Sequence, residues 1–449
     1  MPTAMPFTWA QIVRLGLVQT ALGAVVVLMT STINRVMVVE LALPAIVPGG
    51  LVALHYAVQV LRPRWGYGSD VGGRRTPWII GGMAALALGG FGAAVATALA
   101  EASLPAGLAL AILAFLTVGI GAGAAGTSLL VLLATGVEER RRGAAATIVW
   151  VMMIAGFAVT APLAGHFLDP FSGARLVAVS GSVSAIALAV AVLAVRGVEP
   201  SRSAASAARP ERKPPFLTVL ARVWAEPASR RFTIFIFVAM LAYSAQELIL
   251  EPFAGLVFAM TPGATTKLAG LQHGGVLAGM LFVAAVTMGI GGPRLGSLKL
   301  WTAIGCAGSG AALAGIAAGG LIGPDCPLRA LVFALGLFNG IFAVAAIGSM
   351  MGLAGAGGEA ERGTRMGVWG AAQGVAFGAG GFLGTVAVDL ARLVAPSPVQ
   401  AYAAVFTGEA LLFGLATFIA LRIEHAATTR VPRRLRDRAA ITFEPRFER

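Results

Sequence analysis

Read from the N-terminus, the chain is a succession of apolar runs separated by short polar breaks. A run of about 20 apolar residues crosses a bilayer core of about 30 Å as a helix, because hydrocarbon offers backbone amides no other partner. Twelve such runs are predicted, over 12–33, 47–62, 77–100, 106–134, 144–166, 175–196, 231–256, 267–291, 298–321, 328–353, 364–389 and 399–422. The fourth and tenth are long and are expected to tilt or to extend past the bilayer. Met1 to Ala10 offers neither a basic leader nor a separate cleavage site, so the first run is expected to remain as a span. The pattern predicts an all-α membrane protein.

Composition agrees, with 57% hydrophobic residues, 12% charged residues and a mean hydropathy of +0.84. A soluble domain carries about 25% charged residues. The charges that remain are sided. Arg35, Arg175, Lys267, Arg329 and Arg392 fall on one face of the predicted spans, and every other Lys and Arg falls on the opposite face. The positive-inside rule assigns the rich face, and both termini with it, to the cytoplasm. Trp9, Trp65, Trp78, Trp150, Trp224, Trp301 and Trp369 map to that same half, where indoles favour the headgroup zone. The net charge of +13 is therefore mostly topology. No basic soluble domain exists to hold nucleic acid, so nucleic acid is excluded as a partner.

The segment 197–230 contains "PSRSAASAARPERKPP", a composition that cannot bury a core. It reads as a cytoplasmic linker, with "FLTVLARVW" as a short amphipathic helix on the membrane surface. Six runs precede it and six follow. Gly119 and Gly123 recur as Gly336 and Gly340 at an offset of 217, and His55 recurs as His273 at an offset of 218. "EERRRG" after the fourth run is echoed by "EAERG" after the tenth. These echoes predict two parallel six-helix halves, 1–196 and 231–423, related by an axis along the membrane normal. A basic cytoplasmic tail, 424–449, follows; its "RVPRRLRDR" either meets anionic lipid headgroups or only extends the positive-inside bias.

The break after the second run reads "GYGSDVGGRRTPWII". A nucleotide cradle is excluded, since no GK[ST] follows, no strand precedes it and the glycine spacing does not fit GxGxxG. Gly66, Asp70, Gly73, Arg74 and Arg75 instead fit the GxxxDxxGRR motif that the major facilitator superfamily carries at this turn. Glycines permit the tight turn, and Asp70 is expected at the positive N-terminal end of a neighbouring helix. Arg74 and Arg75 are expected to reach carboxylates such as Glu138, Glu139, Glu359 or Glu361.

The resemblance narrows further. "TSTINRVMVVELALPA", "AYSAQELILEPFAG" and "ALHYAVQVLRPRWGYGSDVGGRRTPWIIGG" resemble the PucC/LhaA family of purple phototrophic bacteria. The last stretch is similar to the branch encoded with bacteriochlorophyll-synthesis genes, whose members carry the label of a bacteriochlorophyll synthase chain. The resemblance implies a facilitator-type fold in a bacterial inner or intracytoplasmic membrane. It implies a non-catalytic role in light-harvesting complex assembly, with bacteriochlorophyll or a precursor as cargo. The implied partners are membrane lipids, bacteriochlorophyll synthase and light-harvesting polypeptides.

Ionisable groups inside spans mark candidate sites, because hydrocarbon makes them costly. Asn34, Arg35 and Glu40 at the end of the first run, with Gln246, Glu247 and Glu251 in the seventh, are expected to form one polar cluster in the outer half. Two readings of it stand. Arg35 pairs with Glu247 or Glu251 and locks the halves together, or the cluster faces a pigment pocket. His55 and His273 share that depth, and each is either a helix–helix hydrogen bonder or the ligand of a bacteriochlorin magnesium. Glu409 faces either lipid or a cavity. The glycine face at Gly370, Gly374 and Gly378 is expected to serve close helix packing. Cys306 and Cys326 make neither a disulfide framework nor a metal pattern, so no metal site is expected. No DxxxD or DDxxD run is present for Mg²⁺–diphosphate chemistry, which argues against catalysis. The alternative function is a proton-coupled small-solute transporter of the facilitator type.

Overall fold

The computed structural model describes residues 6–61, 74–138, 141–199, 224–287, 297–356 and 359–422. Among them every regular element is a helix. The first helix, α1 (Trp9–Val39), is α-helical to Val27, passes through a π turn at Leu28–Ile33 and resumes over Asn34–Val39. It is followed by α2 (Ile46–Val58), α3 (Thr76–Ala102), α4 (Leu104–Gly136), α5 (Arg142–Leu168) and α6 (Gly173–Val195). The seventh, α7, is built from Pro227–Ala245, a 3₁₀ turn at Gln246–Leu248 and Leu250–Phe258. Then come α8 (Pro262–Ala285), α9 (Leu298–Ile322), α10 (Leu328–Ala356), α11 (Glu359–Val394) and α12 (Pro398–Arg422). Eleven of these are long and apolar enough to cross a membrane; α2, at 13 residues, is shorter.

Polar residues at the breaks start the helices. Thr8 and Gln11 close a capping box on α1, and Ser172, Thr261 and Ser297 accept from the first turns of α6, α8 and α9. Proline occupies the first turn of α3, α4, α7 and α8, where its missing N–H costs nothing.

The packing repeats. In the first six helices the main pairs are α1–α5, α1–α6, α2–α4, α3–α4 and α3–α6. In the last six they are α7–α11, α7–α12, α8–α10, α9–α10 and α9–α12, each pair advanced by six. One large apolar core is drawn almost wholly from residues 7–198, and another from residues 232–420. Two seams join them, α5 against α8 and α2 against α11, and these too exchange when six is added or subtracted.

Glycines set the spacing within each set of six. A Cβ on Gly119 would stand against the His55 carbonyl, and one on Gly336 against the Gln272 carbonyl. The repeat at an offset of 217 thus pairs His55 with Gln272, so His273 is one residue out of that register. Gly378 lies on Tyr56, whereas Gly374 faces open space, so the glycine face of α11 is only partly a packing surface. Gly66, Asp70 and Gly73 lie outside the described residues, as do the surface-helix stretch before Trp224 and the tail after Arg422.

Candidate functional site

The π turn of α1 and the 3₁₀ turn of α7 pack against each other. Local departures from α geometry of this kind are frequent at functional sites. Asn34 bridges them by donating from Nδ2 to the Leu248 carbonyl at 2.7 Å. Gln246 is fully buried, and neither atom of its side-chain amide has a hydrogen-bond partner among the described residues. Tyr243, Glu247 and Glu251 follow at intervals of four and share one face of α7. Glu247 lies within electrostatic reach of both Tyr243 and Glu251, and Tyr243 also feels Tyr56 on α2. Glu251 is buried with one carboxyl oxygen unpartnered among the described residues.

Arg35 does not pair with Glu247 or Glu251. The residue is 2% exposed. One terminal nitrogen donates to Glu40, and the other donates to the Met260 carbonyl at 2.7 Å. The group lies close to Gly255, where a Cβ would stand 3.0 Å from Nε and Nη2 and push the guanidinium aside by a few tenths of an ångström. Glu40 wins because it closes the same helix with its backbone still helical, which leaves its carboxylate, five residues on, beside the guanidinium. Arg35 therefore clamps the end of α1 onto the end of α7. The expected pairing of Arg35 with Glu247 or Glu251 is not what is found, and the bond that reaches the other six-helix set goes to the Met260 carbonyl. Glu409 is buried at 4% exposure, so it does not face lipid.

The two histidines are not equivalent. His55 on α2 has both ring nitrogens engaged, Nδ1 at 3.1 Å from the Val52 carbonyl and Nε2 at 3.1 Å from Gln59 Nε2. His273 on α8 bonds through Nδ1 to the Ala269 carbonyl at 2.8 Å. A carbonyl accepts only, so Nδ1 carries the proton and Nε2 keeps its lone pair. No hydrogen bond reaches that Nε2 among the described residues. The ring stands edge-on to Phe157 of α5 at the α5–α8 seam, with 4.8 Å between centroids. Phe157 in turn lies against Gly23 of α1. A fixed tautomer with a free Nε2 is what an axial metal ligand needs. No cluster of three or more His, Cys, Asp or Glu that could hold a bare metal ion occurs among the described residues.

At the opposite end of the bundle, Arg74 and Arg75 precede α3. One partner here is Glu199, which sequence reasoning did not single out. Its carboxylate accepts from the amides of Arg75 and Thr76 at 2.7 and 2.9 Å and from the Thr76 hydroxyl at 2.6 Å. Burial pushes the Glu199 carboxyl up, but these bonds and the nearby Arg74 charge outweigh it and hold the group below the ordinary range. A carboxylate at a helix N-terminus also meets the positive end of the macrodipole. The double-arginine turn is thus fastened to the end of α6. Of the carboxylates expected there, Glu139 and the side chains of Glu359 and Glu361 lie outside the described residues.

Comparison with known proteins follows this geometry. The solved structure of a bacterial homologue of the human drug peptide transporters PepT1 and PepT2 superposes with a TM-score of 0.66 at 15% identity, covering 92% of this chain and 97% of that one. That likeness shows the fold, the major facilitator architecture expected from the sequence. A Rhodobacter capsulatus protein named bacteriochlorophyll synthase 44.5 kDa chain is 53% identical over 430 residues, 95% of this chain and 99% of the relative. Protein PucC of Cereibacter sphaeroides is 31% identical over 444 residues, 93% of this chain and 92% of the relative. The family model described as PUCC protein matches residues 32–428. This multi-pass membrane protein belongs to the PUCC protein family.

Proposed function

We propose that the chain is a non-catalytic membrane protein that handles or delivers bacteriochlorophyll, or a precursor, during light-harvesting complex assembly. It would sit in the bacterial inner or intracytoplasmic membrane with both termini cytoplasmic, which the sidedness of Lys and Arg supports. One observation carries the reading. His273 holds an unpartnered Nε2 lone pair beside Phe157, on the seam between the two six-helix sets. Neutral imidazole oriented by a second hydrogen bond suits the axial position of a bacteriochlorin magnesium. His55, with both nitrogens engaged, does not fit that role. The family's relatives support the same class of cargo through the name one of them carries. In this reading bacteriochlorophyll synthase and light-harvesting polypeptides are the donor and acceptor of the pigment, and membrane lipids surround the rest.

The deciding measurement is an absorption spectrum of protein gently purified from a phototrophic host. Near-infrared bands in stoichiometric yield are expected. A colourless preparation that takes up a labelled small solute into vesicles overturns the proposal in favour of a proton-coupled carrier.

A further inference from the structure

Two aspartates reach across the seams in the same way. Asp169, at the end of α5, accepts from the Gly263 amide in the first turn of α8 at 3.3 Å, and Lys267 Nζ lies 3.9 Å from its other oxygen. Asp389, near the end of α11, accepts from the amides of Ala45 and Ile46 at the start of α2, at 3.1 and 2.7 Å. Each carboxylate comes from one six-helix set and caps a helix of the other. Phe157 precedes Asp169 by the same interval that separates Phe377 from Asp389. Phe157 faces His273, and Phe377 faces Tyr56, so each seam carries an aromatic pair beneath its carboxylate. The first residue of α2 and the second of α8 are likewise 217 apart, as are Tyr56 and His273. Residue 263 has no room for a side chain, because a Cβ there would displace the Asp169 carboxylate.

We infer that Asp169 and Asp389 form a two-point latch that holds closed the end of the molecule where α1 meets α2. A helix N-terminus leaves amides without intrahelical partners, and a carboxylate that fills them also meets the dipole. When the seams part, both helices lose these carboxylates together and water must take over the Gly263, Ala45 and Ile46 amides. The latch therefore biases the bundle toward the state closed at this end, and it acts at both seams because one repeat built both. The acting feature is the acceptor oxygen. Asp389 uses both of its oxygens, so asparagine, with one acceptor oxygen, keeps part of the cap and alanine keeps none.

Accessibility of a buried reporter tests this. Ser31, in the π turn of α1 that packs on α8, is 3% exposed. It is replaced by Cys in the full chain with Cys306→Ala and Cys326→Ala, and maleimide labelling is timed on protein in detergent micelles. D169A/D389A is expected to raise the labelling rate about tenfold or more, and D169N/D389N, which keeps one acceptor oxygen at each seam, to raise it less. An unchanged rate in the alanine pair overturns the latch. Equal acceleration in the asparagine pair overturns it too, because the acceptor oxygens that remain would then contribute nothing. Hydrogen exchange on the unsubstituted chain gives a check that needs no aspartate variant. The peptides holding Ala45–Ile46 and Gly263 are expected to exchange in step as conditions favour opening, and independent exchange contradicts a coupled pair.

Discussion

The imidazole of His273 stands edge-on to the ring of Phe157, with 4.8 Å between centroids and 89° between planes. Its counterpart at the other seam is Tyr56 against Phe377, 6.4 Å apart. The repeat has therefore placed a ring at the same level of both seams, and one of the two is an imidazole whose Nε2 accepts no hydrogen bond among the described residues. Tyr56 and His273 differ in chemistry at matching places of the repeat.

If His273 holds pigment through Nε2, His273→Phe keeps the aromatic contact with Phe157 and removes the ligand. The ratio of near-infrared absorbance to protein in the purified sample is expected to fall to background. His55→Phe is expected to leave that ratio intact and to cost about 1–3 kcal/mol of stability, since buried hydrogen-bond partners are left unmet. Equal loss of absorbance in both variants would contradict the distinction between the histidines.

Arg35 and Glu40 predict an asymmetric pair of effects. The arginine side chain is 3% exposed, while that of the glutamate is 36% exposed. Removing the glutamate strands a buried guanidinium with the Met260 carbonyl as its remaining acceptor among those described. Removing the arginine leaves a carboxylate that water can reach. Glu40→Ala is expected to destabilise by about 3 kcal/mol, and Arg35→Met, which refills the volume, by about 1–2 kcal/mol. Thermal unfolding in micelles checks the order; a more stable Glu40→Ala than Arg35→Met refutes it.

Much of this architecture was legible in the sequence because hydrocarbon imposes length and polarity on every span. The predicted run 298–321 became Leu298–Ile322, and 399–422 became Pro398–Arg422. Tertiary approach was less legible. Arg35 looked for a partner on the seventh helix because Glu40, five residues on at the helix end, falls outside the i+3 and i+4 spacing by which pairs along a helix are read. Asp169, Asp389 and Glu199 carry no local signal, since a carboxylate becomes a cap only when another helix brings its amides within reach. The histidine echo at 218 missed the structural repeat at 217 by one residue, which turns a side chain about 100° around a helix. It therefore matched His55 with His273, where the packing matches His55 with Gln272 and Tyr56 with His273. The Nδ1 bonds that separate the two histidines depend on which carbonyl each ring meets, and no pattern of residue types encodes that.

Two glycines predict opposite responses to one methyl group. At Gly336 a Cβ would strike the Gln272 carbonyl, a backbone atom that moves only if α8 and α10 separate. Gly336→Ala is expected to lower stability by about 1–3 kcal/mol through overpacking. At Gly374 a Cβ meets nothing within 4 Å, and the residue lies inside α11. Gly374→Ala is expected to be neutral or to stabilise by up to about 1 kcal/mol through helix propensity. Melting temperatures of the two variants test the contrast, and a loss at Gly374 equal to that at Gly336 would remove its basis.

Glu199 predicts a pH dependence at the double-arginine turn. Its carboxyl is held below the ordinary glutamate range in the folded chain, so the folded state binds its proton less readily than the unfolded state does. The sign follows from linkage. The stabilisation is complete above the unfolded value and disappears as pH falls through the depressed folded value. Glu199→Ala removes the acceptor for the Arg75 and Thr76 amides at any pH, but it removes the proton-linked part only where the carboxylate is charged. The melting temperature of the unsubstituted chain is therefore expected to exceed that of the variant by a constant margin from pH 7 down to about pH 5. Below that the gap should narrow as the carboxylate takes up its proton. Paired thermal melts in micelles across this range provide the measurement, and a gap that widens on acidification would mean that protonated Glu199, not the carboxylate, fastens α3 to the end of α6.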